Sequence, residues 1–121
     1  MIAVIFEVQP AAGQMDSYLE HAARLRPSLD EQTGFISVER FRSLSTPTKL
    51  LSLSFFTNED AVATWRNTHH HRGTQSAGRS GIFDDYRLRI ADVSRDYGLH
   101  DRVQAPKDSR HYHDRRLGHD D

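Results

Sequence analysis

The sequence predicts an α+β fold of the ferredoxin-like type. The expected order is β-α-β-β-α-β, with a four-stranded antiparallel sheet and two helices on one face. Three observations carry this. Four segments show apolar and β-branched residues alternating with period 2. Two segments repeat apolar residues at spacings of three and four. Gly, Pro and Ser-rich turns separate them in that order.

The first strand spans residues 2–9. Ile2, Val4, Phe6 and Val8 share one face, and Ala3, Ile5 and Glu7 share the other. Pro10 and Gly13 end it. A helix follows over 15–31, where Met15, Tyr18, Leu19, Ala22, Leu25 (or Ala23) and Leu29 form the apolar stripe. Pro27 removes a hydrogen bond there, so a kink or a second short turn is expected. Gly34 stops the helix. Residues 35–42 are a strand with Ile36 and Val38 on one face and Phe35, Ser37, Glu39 and Phe41 on the other. Residues 49–56 pair with it as a hairpin, Leu51, Leu53 and Phe55 facing away from Ser52 and Ser54. Thr57 is the expected N-cap of the second helix, which carries Ala61, Val62 and Trp65 and continues, with a break near 69–72, toward Ala77. The last strand is 85–94, with Tyr86, Leu88 and Ile90 opposite Arg87 and Arg89.

Two helices cover one side of four strands, yet both sides carry apolar residues. A second sheet from an identical chain is the simplest cover, so a homodimer is expected.

At 121 residues the chain has the size of one domain. The folding unit is assigned to residues 1–94. Residues 95–121 hold six apolar side chains in 27 positions, with six Arg or Lys, six Asp and four His. They form a polar C-terminal extension outside the core, disordered or laid over a partner. A 27% charged content, no apolar run long enough for a bilayer and no visible signal peptide predict a cytoplasmic protein without membrane contact. Zero cysteines exclude disulfides, thiolate metal sites and a cysteine nucleophile. A net charge of -1 offers no electrostatic case for nucleic acid. Phosphate-cradling and nucleophile-elbow motifs are missing, which removes support for nucleotide cofactors and serine hydrolysis.

The stretch from Asn58 to Arg79 contains Trp65, the run His69-His70-His71-Arg72-Gly73 and Arg79, and a Tyr86-bearing strand closes the unit. With the opening apolar strand and the Gly34-Phe35 pair, this pattern resembles the antibiotic biosynthesis monooxygenase domain family. The resemblance covers nearly the whole β-α-β-β-α-β unit. It implies a dimeric α+β barrel and a monooxygenase-like activity that oxidises a small aromatic, phenolic or quinol substrate with O2, without metal or flavin. The family also includes heme-degrading members and proteins without assigned chemistry. A heme-binding relative, or a non-catalytic stress-response module that holds a hydrophobic ligand, are therefore the alternatives.

His71 matches the family position and is the candidate general base, since an imidazole accepts a phenolic proton near neutral pH. Trp65 is either a core residue or a flat wall for an aromatic ligand. Glu7, Arg40, His70, Arg79 and Tyr86 are the candidate substrate contacts, with Arg72 as a further cation. Consecutive helical residues splay about 100° apart, so the three histidines cannot converge on one metal, and none is expected. Heme-degrading relatives place an axial His ten positions after the helix Trp and an Asn on the first strand. Here those places hold Gln75 and Glu7, which ranks heme below cofactor-free chemistry. The first strand is covered on both sides, so the Glu7 carboxyl should be paired or have a raised pKa.

Overall fold

The apolar alternation of residues 2–10 forms the strand β1 (Ile2–Pro10), which lies inside the sheet rather than at its edge. The computed structural model describes residues 1–68 and 81–108. Its elements follow the expected order: β1, α1 (Met15–Asp30), β2 (Phe35–Arg42), β3 (Leu50–Phe56), α2 (Glu59–Arg66) and β4 (Phe83–Asp92). The strands lie in the order β2-β3-β1-β4, and every neighbouring pair is antiparallel.

Register decides which side chains share a face. Val4 pairs with Ser54 and Ile90, and Phe6 with Ser52 and Leu88. The inner face, under the helices, therefore carries Ile2, Val4, Phe6 and Val8 from β1, Leu50, Ser52, Ser54 and Phe56 from β3, and Tyr86, Leu88 and Ile90 from β4. The outer face carries Ala3, Ile5, Glu7, Leu51, Leu53, Phe55, Arg87 and Arg89. On β3 it is Ser52 and Ser54, not Leu51 and Leu53, that point toward the helices.

Two core clusters sit at opposite ends of the inner face. One joins Ile2 and Phe56 to Leu29 of α1 and to Ala61, Val62 and Trp65 of α2. The other joins Val8 and Leu50 to Tyr18, with Phe6, Met15 and Phe83 packed against them. Phe56 and Val8 are the largest fully buried side chains.

Four local expectations are corrected. Phe35 was placed on the face opposite Val38. Instead the β2–β3 register slips between Phe35 and Ser37. That bulge absorbs Ile36 and turns Phe35 inward, where its ring meets Phe56 at 5.7 Å. The helix cap is Asn58, not Thr57: the Asn58 side chain accepts from the Ala61 N–H at 2.8 Å. Of the kink or second short turn expected at Pro27, the second turn does not form: helix α1 runs through Pro27 as one element. Ala23 and Pro27 lie on its exposed side, where water can reach the carbonyl that loses its partner. Strand β4 starts at Phe83 because Phe83 pairs with Pro10 beyond a register shift. The expected continuation of the second helix toward Ala77 lies outside the described residues.

Gly34 shows why the α1–β2 turn needs glycine. Its φ is +87°, and a Cβ there would stand 2.7 Å from both the Ala61 Cβ and the Thr57 Oγ1. The turn thus packs directly on the start of α2. After β4, residues 95–108 make local contacts. The Asp96 N–H donates to Gln104 at 2.8 Å, and the Arg102 guanidinium sits 5.2 Å from the Tyr97 ring. Ala105 is buried, while Leu99 and Val103 are exposed.

Candidate functional site

Between the two core clusters the inner face is not filled. Ser52 and Ser54 on β3 and Ala22 on α1 are too short to bridge the gap between helix and sheet. The result is a cavity of about 250 Å³. Its walls are mostly apolar: Val4 and Phe6 from β1, Val38 from β2, Phe56 from β3, Leu25 and Leu29 from α1, and Val62 and Trp65 from α2. At one end Phe6, Tyr18, Phe83 and Tyr86 form an aromatic cluster with ring centroids 5.7–5.9 Å apart. Trp65 stands at the other end, buried to 9% exposure. Tyr86, Leu88 and Ile90 line the β4 side and stay 41–50% exposed, so the cavity opens there.

The polar lining consists of His21, Arg26, Arg40 and Arg66, with the hydroxyls of Tyr18, Tyr86, Ser52 and Ser54. No carboxylate lines the cavity among the described residues. Arg26 is engaged already. Its Nε donates to Asp30 at 2.8 Å, and its guanidinium lies 5.9 Å from the Phe35 ring.

Three of the residues singled out by sequence meet here: Trp65, Arg40 and Tyr86. Trp65 is both a core residue and a cavity wall, so its two readings are not exclusive. Glu7 is a correction. Odd-numbered alternation on β1 puts it on the outer face, away from the cavity. There its carboxylate accepts from Arg89 at 3.2 Å and pairs with Lys49 at 3.7 Å. Of the two expectations for this carboxyl, pairing holds and a raised pKa does not: the Arg89 hydrogen bond, helped by the Lys49 charge, holds its pKa below the ordinary value. His70, His71, Arg72 and Arg79 lie outside the described residues.

His21 was missed. It follows Tyr18 by three positions and precedes Leu25 by four, which is the inward stripe of α1, so its place was readable from spacing. It is the imidazole on the described cavity wall. Among the described residues no three His, Asp or Glu side chains gather around a possible metal position. An apolar, partly enclosed space with one imidazole and several guanidinium groups can take a proton from a bound acid and stabilise the anion that results.

The sequence profile of the antibiotic biosynthesis monooxygenase family matches residues 1–77. The chain belongs to this family. A relative from Pyricularia oryzae, named jasmonate monooxygenase ABM, is 46% identical over 94 residues. That match covers 78% of this chain and 44% of the relative, so the chain spans less than half of that protein. Solved structures of the same fold include an antibiotic biosynthesis monooxygenase from Deinococcus radiodurans, with a TM-score of 0.73 at 12% identity over 82% of this chain and 98% of that one. SnoaB of Streptomyces nogalater, a cofactor-independent oxygenase, aligns with a TM-score of 0.69 at 12% identity over 78% and 94% of the two chains. These likenesses agree with the antiparallel sheet and two helices of this antibiotic biosynthesis monooxygenase domain.

Proposed function

We propose that this domain is a cytoplasmic, homodimeric monooxygenase that oxidises a small aromatic, phenolic or quinol substrate with O2 and needs neither flavin nor metal. The observation that carries the proposal is the cavity: apolar walls, an aromatic cluster, Trp65, one imidazole and several guanidinium groups. The family, the named monooxygenase activity of the Pyricularia relative and the cofactor-independent chemistry of SnoaB support it.

The chemistry asks little of the protein. His21 takes the phenolic proton. The electron-rich anion passes one electron to O2, and the radical pair joins at a ring carbon. Loss of water from the peroxide leaves a quinone. One oxygen atom enters the product and the other leaves as water, with the substrate as the sole reductant. The cavity's part is to hold the ring dry and to stabilise the anion. His71, matched by the family motif, is the second candidate base.

The dimer rests on the outer face. Ile5, Leu51, Leu53 and Phe55 remain partly exposed there, Phe41 is 43% exposed, and the helices lie on the other side. A second sheet laid on this face would bury them.

Oxygen uptake with a panel of naphthoquinols tests the activity. His21→Gln is expected to lower kcat by about 10²–10⁴-fold. Loss of activity in His71→Ala with His21→Gln unaffected would move the base to His71. Uptake no faster than in buffer would leave a ligand-binding module. A Soret shift on hemin addition would favour a heme protein instead.

A further inference from the structure

The charge on the cavity wall is one-sided. Arg26, Arg40, Arg66 and His21 line it, and among the described residues no Asp or Glu does. Arg26 has Asp30 beside it. Arg40 and Arg66 form no ion pair among the described residues, although both border an apolar space. On the opposite face of the same sheet Glu7 accepts from Arg89 and faces Lys49, while Arg87 there forms no ion pair among the described residues. Arg40 and Arg66 are exposed side chains, so what sets them apart is their place on the rim of an apolar cavity.

Position narrows the choice to Arg40. It is the cross-strand partner of Ser52, and both side chains line the cavity. Directly opposed residues hold their Cβ atoms about 4.5–5.5 Å apart. A guanidinium fork and a hydroxyl therefore start from neighbouring points on the cavity floor. Both can donate to the same carboxylate, the fork through two parallel N–H groups. A neutral carbonyl can accept from either, but without the charge and the second oxygen that make the paired contact strong.

We infer that the substrate of this site is an amphipathic acid, whose ring system fills the apolar cavity and whose carboxylate is held between Arg40 and Ser52. The inference rests on the cavity being the substrate site, as proposed above, and adds the charged end of the molecule. Arg40 is thus a specificity residue, which holds the substrate's charged end and takes no part in the proton transfer.

Calorimetry with 1-naphthylacetate and its neutral analogue 1-naphthylacetamide tests this without turnover. The acid is expected to bind about tenfold tighter or more, the effect of one charge-assisted pair. Arg40→Met, which keeps the aliphatic stem, should bring the ratio to about one while the amide affinity holds. Should that variant fail to fold, the unsubstituted protein still decides: rising ionic strength should weaken the acid and spare the amide. Equal affinities, no binding of either compound, or a preference that survives Arg40→Met overturns the inference. Oxygen uptake separates the two proposals. Selective binding of acids without consumption sinks the oxygenase and leaves the anion site standing. Neutral quinols consumed as fast as acidic ones keep the oxygenase and sink the anion site.

Discussion

The two faces of this sheet are made from one alternating pattern, yet they do opposite things. The inner face pairs Val4 and Phe6 of β1 with Ser54 and Ser52 of β3, and the short serines leave a void beneath the helices. The outer face pairs Ala3, Ile5 and Glu7 with Phe55, Leu53 and Leu51, a continuous apolar surface crossed by one charge cluster. A β3 strand flipped by one residue would exchange these roles. Leu51, Leu53 and Phe55 would fill the space under the helices, and the outer surface would lose its grease. The small residues of β3 face inward and leave the cavity open. The large ones face outward, where they stay partly exposed.

The largest effect is expected where a charge is put on the outer face. Leu53→Asp should dissociate the proposed dimer. A lone carboxylate in an apolar contact costs on the order of several kcal/mol, about a thousandfold or more in the dissociation constant. Sedimentation velocity would show a folded protomer. A variant that sediments like the unsubstituted protein would mean that this face is not the contact.

On the inner face the complementary change is Ser54→Leu. Ser54 is buried at 9% exposure and stands against the cavity. The added methyl groups should enter empty space, so stability is expected to hold or to rise by about 1–2 kcal/mol. Ligand affinity should fall by about tenfold or more as the volume is consumed. Chemical denaturation and calorimetry together check both halves. A destabilised variant that still binds would show that the space is not where ligand sits.

Much of this contrast was legible before any coordinates. The alternation of β1 and β4 assigned their faces correctly, and the turn residues separated the elements in the right order. Other features depend on pairing, which a single strand does not encode. The bulge at Ile36 exists only in the β2–β3 register, so the inward turn of Phe35 could not be read from period 2 alone. The choice between Thr57 and Asn58 as cap turns on which backbone N–H each reaches, since both are cap-forming residues ahead of acids. The cavity was hidden for the same reason. Two serines on a strand look like a solvated edge until β1 and α1 are laid against them. His21 was readable from the stripe of α1, but the conspicuous run at 69–71 drew attention from a lone histidine at an inward position.

The smallest effect belongs to Glu7, and it sharpens the contrast between the faces. Its carboxylate is 34% exposed and held by Arg89 and Lys49, which keep its pKa below the ordinary 4.5. A group whose folded pKa is depressed stabilises the native state above its unfolded value, and that support disappears as pH falls through the folded value. Glu7→Gln should therefore cost a little near neutral pH and nothing at the acid end, flattening the acid limb of the stability curve. If a second sheet covers this face, water is excluded from the cluster and removal of its single carboxylate leaves Arg89 and Lys49 facing each other's charge. The loss should then grow with protein concentration, as dimer forms. Denaturation curves of both forms at two concentrations and several pH values read this directly. A deficit that ignores concentration would place Glu7 outside the dimer contact, while a variant with an unchanged acid limb would show that the pair with Arg89 contributes nothing to folding.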